Sequence, residues 1–217
     1  MALLQDKDKN DLKKHFEELK NDVTIINFTQ PMECYLCSNT RQLLEEVTEM
    51  SEKIHLEVYN FTKDTEMVEK YKIKRIPSTV ITGPGRQDFG IRFYGVPAGY
   101  EFPTLIEDIL DISGKESTLK QQTIDTLKAL ENPVHIQVLV TLTCPYCPTA
   151  VRTAHKFALI SDKVKADMID AQAFPDVSVK YNVSSVPKIV MNETLELTGA
   201  QPEHTFLKYV QAAAKIS

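Results

Sequence analysis

The chain has 217 residues, room for one large domain or two of ordinary size, and 42% of them are hydrophobic, enough for a real core and against global disorder. Lys and Arg number 25 against 30 Asp and Glu, interleaved throughout, so no basic face marks a nucleic-acid binder. No window approaches the roughly 18 apolar residues of a membrane span, and the opening MALLQDKDKN lacks an apolar stretch of signal-peptide length, so the chain reads as soluble and cytoplasmic.

An amphipathic helix comes first, on Leu12, Phe16 and Leu19, followed by a short apolar run over 23–28 that suggests a buried strand. Cys34-Tyr-Leu-Cys37 follows at once, then a helix with Leu43, Leu44, Val47 and Met50 on one stripe. A second strand over 54–59 leads to a shorter helix ending near Tyr71. Ile76-Pro77 then opens the strand STVIT, which the turn TGPGRQDFG joins to another, and a last helix covers 101–112. The polar stretch ISGKEST (112–118), with Gly114, marks a boundary. The order then repeats: a helix on Ile124, Leu127 and Leu130, a strand over 134–140, Cys144-Pro-Tyr-Cys147, and a helix on Ala150, Val151, Ala154, Phe157 and Ala158. Next come a strand over 164–169, a helix ending near Tyr181, Val186-Pro187, a hairpin and a helix over 203–214.

The repetition is literal. Cys34 and Cys144 are 110 residues apart, as are Pro77 and Pro187 within YKIKRIP and YNVSSVP, and TIINFT from Thr24 falls on VHIQVL from Val134. Near the end the offset drops to 104, pairing Gly95 and Phe102 with Gly199 and Phe206, because the second copy has MNET where the first has the longer turn. The chain is therefore read as two copies of one domain-sized unit, residues 1–115 and 116–217. Strand, helix, strand, helix, hairpin and helix make each an α/β unit, a central mixed sheet flanked by helices.

Each cysteine pair sits where a strand hands over to a helix. There the unsatisfied N–H groups of the first turn and the positive end of the helix dipole favour thiolate, the form that attacks disulfides. Residues three apart on a helix have Cβ atoms about 5–6 Å apart, whereas a disulfide needs about 3.8 Å, so a cysteine at the cap and one a turn inside can close and open with little movement. A zinc ribbon separates its pairs by roughly 15–20 residues; here residues 38–143 intervene, and the five histidines, His155 among them, read as scattered solvated positions. A permanent C-x-x-C staple closes too short a loop to stabilise much. Ile76-Pro77 and Val186-Pro187 each start an apolar strand, which an ordinary first-position proline explains as well as a cis bond does.

Cys-Pro-Tyr-Cys at a strand-to-helix junction, with Val-Pro about forty residues on, resembles the thioredoxin and glutaredoxin superfamily. Two such units in tandem, with GVPAGYEF and GAQPEHTF after the hairpins, resemble the glutaredoxin-like protein disulfide oxidoreductase family of thermophilic archaea and bacteria, over nearly the whole chain. The resemblance implies two tandem thioredoxin-fold units and dithiol–disulfide exchange on protein disulfides, by reduction, oxidation or isomerisation. Cys34 and Cys144 are then the attacking thiols and Cys37 and Cys147 the resolving ones. Pro77 and Pro187 are cis, and Ile76 and Val186 offer backbone to an extended substrate. It further implies no bound cofactor beyond the redox disulfides, protein disulfides as substrates, and an NAD(P)H-dependent flavoprotein, similar to thioredoxin reductase, as electron donor. Thioredoxin's buried acid on the strand before the motif is missing, that strand carrying Asn27 or Gln137; Glu57 and Asp167, sharing the 110 offset, are the candidate proton acceptors. Two other readings stay open: a relay module similar to the N-terminal domain of alkyl hydroperoxide reductase flavoproteins, and a non-catalytic peptide- or metal-binding protein. The two sites are expected to be unequal. Pro145 restrains the second motif, and Glu33, directly before Cys34, disfavours a thiolate that uncharged Thr143 does not.

Overall fold

In the computed structural model, which describes residues 3–114 and 117–216, the chain divides into two compact units. The first runs up to Asp88 and adds Phe93–Val96 and the stretch from Ile109; the second takes Phe89–Arg92, Pro97–Asp108 and the stretch from Ser117. The boundary expected between 115 and 116 falls on Lys115 and Glu116, outside the described residues. The second unit also holds Pro97–Asp108, which the repeat assigned to the first copy. Hydrogen bonds account for this: the Tyr100 N–H donates to the Leu142 carbonyl at 3.0 Å, and the Asp108 carboxylate accepts from Arg152 and His155.

The first unit contains α1 (Asp6–Phe16), β1 (Val23–Thr29), α2 (Cys37–Thr48), β2 (Ile54–Asn60), α3 (Thr65–Tyr71) and β3 (Ser78–Thr82). β4 (Asp88–Tyr94) and α4 (Phe102–Ile112) contribute residues to both units. The second unit contains α5 (Gln121–Lys128), β5 (Val134–Val140), α6 (Cys147–Ile160), β6 (Val164–Asp170), α7 (Pro175–Lys180), β7 (Lys188–Met191), β8 (Leu195–Thr198) and α8 (Glu203–Ile216).

β1 lies parallel to β2 and antiparallel to β3, and β5 lies parallel to β6 and antiparallel to β7, which pairs with β8. A strand flanked on both sides and covered on both faces reads as an unbroken apolar run. Ile25, Ile26 and Phe28 in β1 and Ile136, Val138 and Leu139 in β5 are indeed fully buried. Against them pack the apolar stripes of the helices that follow, Leu43, Leu44 and Val47 on α2 and Ala150, Val151, Ala154 and Phe157 on α6. Each fully buried Leu, Ile, Val or Phe contributes about 1.5–3 kcal/mol. The helix dipole is matched on α1, with Asp6 and Asp8 in its first turn and Lys13, Lys14 and His15 in its last.

Strand pairing corrects the repeat alignment by one residue. Val23 pairs with Ile54 and Val134 with Val164; Phe28 pairs with Ser78 and Leu139 with Lys188. β1 therefore matches β5 at an offset of 111 (Val23 to Val134), while the strands beside them keep 110 (Ile54 to Val164). A one-residue shift moves a side chain to the opposite face. Asn27 is thus equivalent to Val138, and Gln137 to Ile26. Asn27 donates to the Ser78 carbonyl at 3.1 Å and Gln137 to the Tyr181 hydroxyl at 2.9 Å.

Candidate active site: two cysteine pairs

In the first unit, residues 30–33 carry the chain from β1 to Cys34, and Cys37 is the first residue of α2. The two sulfurs form a disulfide with Cα atoms 5.4 Å apart. Cys37 is buried at 2% exposure, while Cys34 is half-buried and reaches an open groove of about 570 Å³ that Tyr35, Arg41 and Asn60 also line. Glu33, immediately before Cys34, holds a left-handed φ of 60°. Tyr35, inside the motif, is 79% exposed.

The second unit builds the same corner. Cys144 and Cys147 form a disulfide with Cα atoms 5.5 Å apart, Cys147 opens α6 at 0% exposure, and Cys144 is 8% exposed. The Cys144 sulfur lies 3.9 Å from the Val186 carbonyl oxygen. Tyr146 is 70% exposed. Pro145 sits ahead of the helix, not in its first turn; Tyr146 is the cap residue and Pro148 takes the first-turn place where proline is tolerated. The Ile76–Pro77 and Val186–Pro187 bonds are both cis, and each proline carbonyl accepts a backbone hydrogen bond, from Gly95 at 2.9 Å and from Gly199 at 2.8 Å.

The other named carboxylates lie elsewhere. Val58 and Asn60 of β2 line the Cys34 groove, so Glu57, flanking Val58 on the strand, projects from the opposite face. There Arg86 forms an ion pair with it and the Tyr59 hydroxyl donates to it at 3.0 Å; Arg86 chiefly, with Tyr59, holds the carboxyl below its usual range. Asp167, opposite Gln137 in the β5–β6 pair, shares a hydrogen bond of 2.7 Å with His135 Nε2.

Two features are missed by reasoning from the sequence. His155 is not solvated but fully buried, bound through Nδ1 to Asp108, which Arg152 of the same helix also binds. Glu101 is fully buried in the second unit, one residue after the Tyr100 N–H that holds Leu142, which lies two residues before Cys144. Its carboxyl is pushed up to about 7 by burial; the Thr104 hydroxyl, donating at 2.8 Å, pulls it partly back, and Asp108 adds to the rise. A signal is present in the sequence: Glu101 and Asp108 share a helical stripe with Leu105 and Ile112, and acids on an apolar stripe must be buried. Among the described residues, no group of three or more His, Cys, Asp or Glu side chains is placed to hold a metal ion.

A thioredoxin domain model matches residues 134–211. The alkyl hydroperoxide reductase AhpF of Staphylococcus epidermidis is 34% identical over 152 residues, covering 70% of this chain and 27% of that protein, and AhpF of Staphylococcus aureus matches equally. The chain thus spans about a quarter of the length of the curated relatives it matches. The solved alkylhydroperoxide reductase AhpF of Enterococcus faecalis has the same fold, with TM-score 0.89 at 24% identity, over 95% of this chain and 99% of that one. A protein disulfide oxidoreductase from Aeropyrum pernix superposes with TM-score 0.91 at 32% identity, over 97% of this chain and 94% of that one. With both cysteine pairs closed at strand-to-helix corners and that likeness running nearly end to end, the chain belongs to the protein disulfide oxidoreductase family of tandem thioredoxin-fold proteins.

Proposed function

We propose that the chain is a dithiol–disulfide oxidoreductase acting on protein disulfides, with Cys34 and Cys144 as attacking thiols and Cys37 and Cys147 as resolving thiols. The observation that carries this is the unequal exposure within each pair: Cys34 is half-buried and Cys144 keeps 8% exposure, whereas Cys37 and Cys147, each opening a helix, are buried at 2% and 0%. A sulfur that meets substrate must be accessible; one that only resolves need not be.

The thiolate of the first cysteine attacks one sulfur of the substrate disulfide, and the other substrate sulfur leaves as thiolate. The second cysteine then attacks the mixed disulfide, releasing the remaining substrate sulfur and closing the intramolecular disulfide. The substrate gains two electrons and the pair loses two. Ile76-Pro77 and Val186-Pro187 are assigned to substrate docking; the nearness of the Val186 carbonyl to the Cys144 sulfur supports this. The resolving thiol must lose a proton. In the second unit Glu101 suits that role better than Glu57 or Asp167: it is buried beside the cysteine loop with its carboxyl near 7, whereas Glu57 is committed to Arg86 and Asp167 to His135. The cysteines themselves serve as the redox group. The electron donor is proposed to be an NAD(P)H-dependent flavoprotein reductase and the compartment the cytoplasm. Among the described residues no helix is long and apolar enough to cross a membrane.

The test is insulin reduction driven by dithiothreitol. Turnover that disappears in the Cys34→Ser/Cys144→Ser double variant supports the reading, and turnover that survives it sinks the assignment. The match to alkyl hydroperoxide reductase AhpF favours a second reading, in which the pairs relay electrons to another thiol protein. A chain that a flavoprotein reductase reduces, but that leaves insulin disulfides untouched, would be such a relay.

A further inference from the structure

We infer that the first unit's site prefers disulfides with a large apolar side chain, an aromatic ring best, beside the reacting cysteine, and seats that side chain in the groove at Cys34. This rests on the thiol–disulfide reading above. Thr29, Val58, Asn60 and Asp64 line the groove with Cys34 and Tyr35. They come from the ends of β1 and β2, so the groove opens on the β2 side of Cys34, across β1 from the strand that follows Pro77. Its apolar walls meet solvent: Val58 is 36% exposed and Tyr35 79%. At about 570 Å³ it lies within the usual range of sites that bury a small ligand.

The second unit shows what such a corner accepts, because its backbone there repeats that of the first. The Phe61 N–H donates to the Thr29 carbonyl and the Ala171 N–H to the Val140 carbonyl, both at 2.9 Å. The Asp64 N–H then donates to the Asn60 carbonyl at 2.9 Å and the Phe174 N–H to the Asp170 carbonyl at 3.1 Å. Asp64 and Phe174 are the cap residues of α3 and α7. On this shared frame the side chains differ: Val58 corresponds to Met168 and Asp64 to Phe174, and Met168 is fully buried and Phe174 only 8% exposed. The second unit closes the corner with its own phenyl ring and thioether; the first leaves it open. A ring supplied by the substrate would cover Val58 and Tyr35 and take that apolar surface out of water. Asp64 keeps its charge while accepting from the Asn60 N–H at 2.5 Å, which disfavours an acidic side chain, and Arg41 is paired with Glu45 at 2.7 Å. The distances suit the seat. In a mixed disulfide the two cysteine Cα atoms lie about 5.5–6 Å apart, and the next substrate Cα is about 3.8 Å further on. A side chain beside the substrate cysteine thus reaches the groove whose wall holds Cys34.

The experiment uses the full chain with Cys144→Ser and Cys147→Ser, which leaves only the first site. Its probes are four synthetic peptides of equal length, each closed by one disulfide, with Phe, Ser, Glu or Lys on both sides of each cysteine, and dithiothreitol as reductant. The kcat/KM ratio, corrected for the uncatalysed rate, should favour the Phe peptide over the Ser peptide about tenfold, the lower end of what one apolar contact discriminates. The Glu and Lys peptides should fall below the Phe peptide. Asp64→Phe with Val58→Met closes the groove as the second unit does and should bring the Phe to Ser ratio toward parity. Val58→Ser, which only strips an apolar wall, should lower the ratio in the same direction, and a ratio does not respond to a uniform loss of folded protein. A chain with Cys34→Ser and Cys37→Ser, which uses only the second site, should show a ratio near parity. Parity at the first site, a Glu or Lys peptide preferred to the Phe peptide, an equal preference at both sites, or a preference unmoved by both groove variants overturns the inference. If the second site turns over peptides and the first does not, the inference fails while the general reading stands; if the unsubstituted chain reduces neither peptides nor insulin, both fail.

Discussion

Between β1 and Cys34 the first unit uses four residues, 30–33; between β5 and Cys144 the second uses three, 141–143. The extra residue has a visible consequence. Glu33 is forced to a φ of 60°, a conformation that costs a side-chain-bearing residue about 1–2 kcal/mol, and neither Leu142 nor Thr143 is so placed. In the shorter loop the Cys144 N–H closes a turn onto the Thr141 carbonyl at 3.1 Å, and Tyr100 anchors Leu142. The second attacking cysteine is therefore held by hydrogen bonds on a short tether, whereas the first follows a longer, strained one. Two copies of a corner that share strand, helix and proline can thus differ in preorganisation because one residue was inserted.

The most direct test of the comparison is activity. If preorganisation ranks the sites, Cys144→Ser should lower insulin reduction about tenfold, or about 1.4 kcal/mol in the barrier, and Cys34→Ser much less. Equal losses would break the comparison. With Glu101 in the proposed role of proton acceptor, the second site should show a pH dependence that the first lacks. In a Cys34→Ser chain, turnover should rise as pH passes through about 7 and Glu101 ionises, and Glu101→Gln should remove that step. The same group bears on stability. Its folded value of about 7 lies above the ordinary value of 4.5, so the native state binds the proton more tightly. Stability is then highest below about 4.5, declines as pH rises to about 7, and stays lower above, by on the order of 3 kcal/mol. Denaturant titrations at pH 5 and pH 8 should show this decline in the parent and not in Glu101→Gln.

A smaller effect sharpens the loop comparison directly. Glu33→Gly removes the left-handed cost and should raise stability by about 1 kcal/mol, or Tm by about 2–4 °C. Thr143→Gly, where no such cost exists, should lower it. The smallest effect concerns Glu46 of α2, in the helix that Cys37 begins. Burial pushes its carboxyl up, but the N–H groups of Leu3 and Leu4, at 2.7 and 2.9 Å, with Gln42 and Lys9, hold it at about 2. Its stabilisation is present above pH 4.5 and lost as pH falls toward 2. Glu46→Gln should cost under about 1 kcal/mol at pH 7, detectable as a slightly lower denaturation midpoint at neutral pH and a smaller loss on acidification.

Much of this site can be read from residues alone, because its chemistry is local. Two cysteines three apart between an apolar run and an amphipathic stripe fit a strand-to-helix corner, and the repeated Tyr, Pro and Gly place the strands that follow. The one-residue shift between β1 and β5 cannot be read this way. Both strands are buried on both faces, so their apolar runs carry no alternation to fix a register. His155 reads as solvated for a related reason: a polar residue on a helix faces water unless another element supplies a partner, and Asp108 lies 47 residues away.

The sequence by itself determined the order of elements along the chain and which cysteines pair, since helical periodicity and i, i+3 spacing are properties of a few consecutive residues. Tertiary structure alone decided that Glu101 is buried in the second unit and how each cysteine is held. Glu101 is raised toward 7 because folding strips it of water, and Glu33 holds its strained φ because β1 fixes one end of its loop and Cys34, bonded to the first residue of α2, fixes the other.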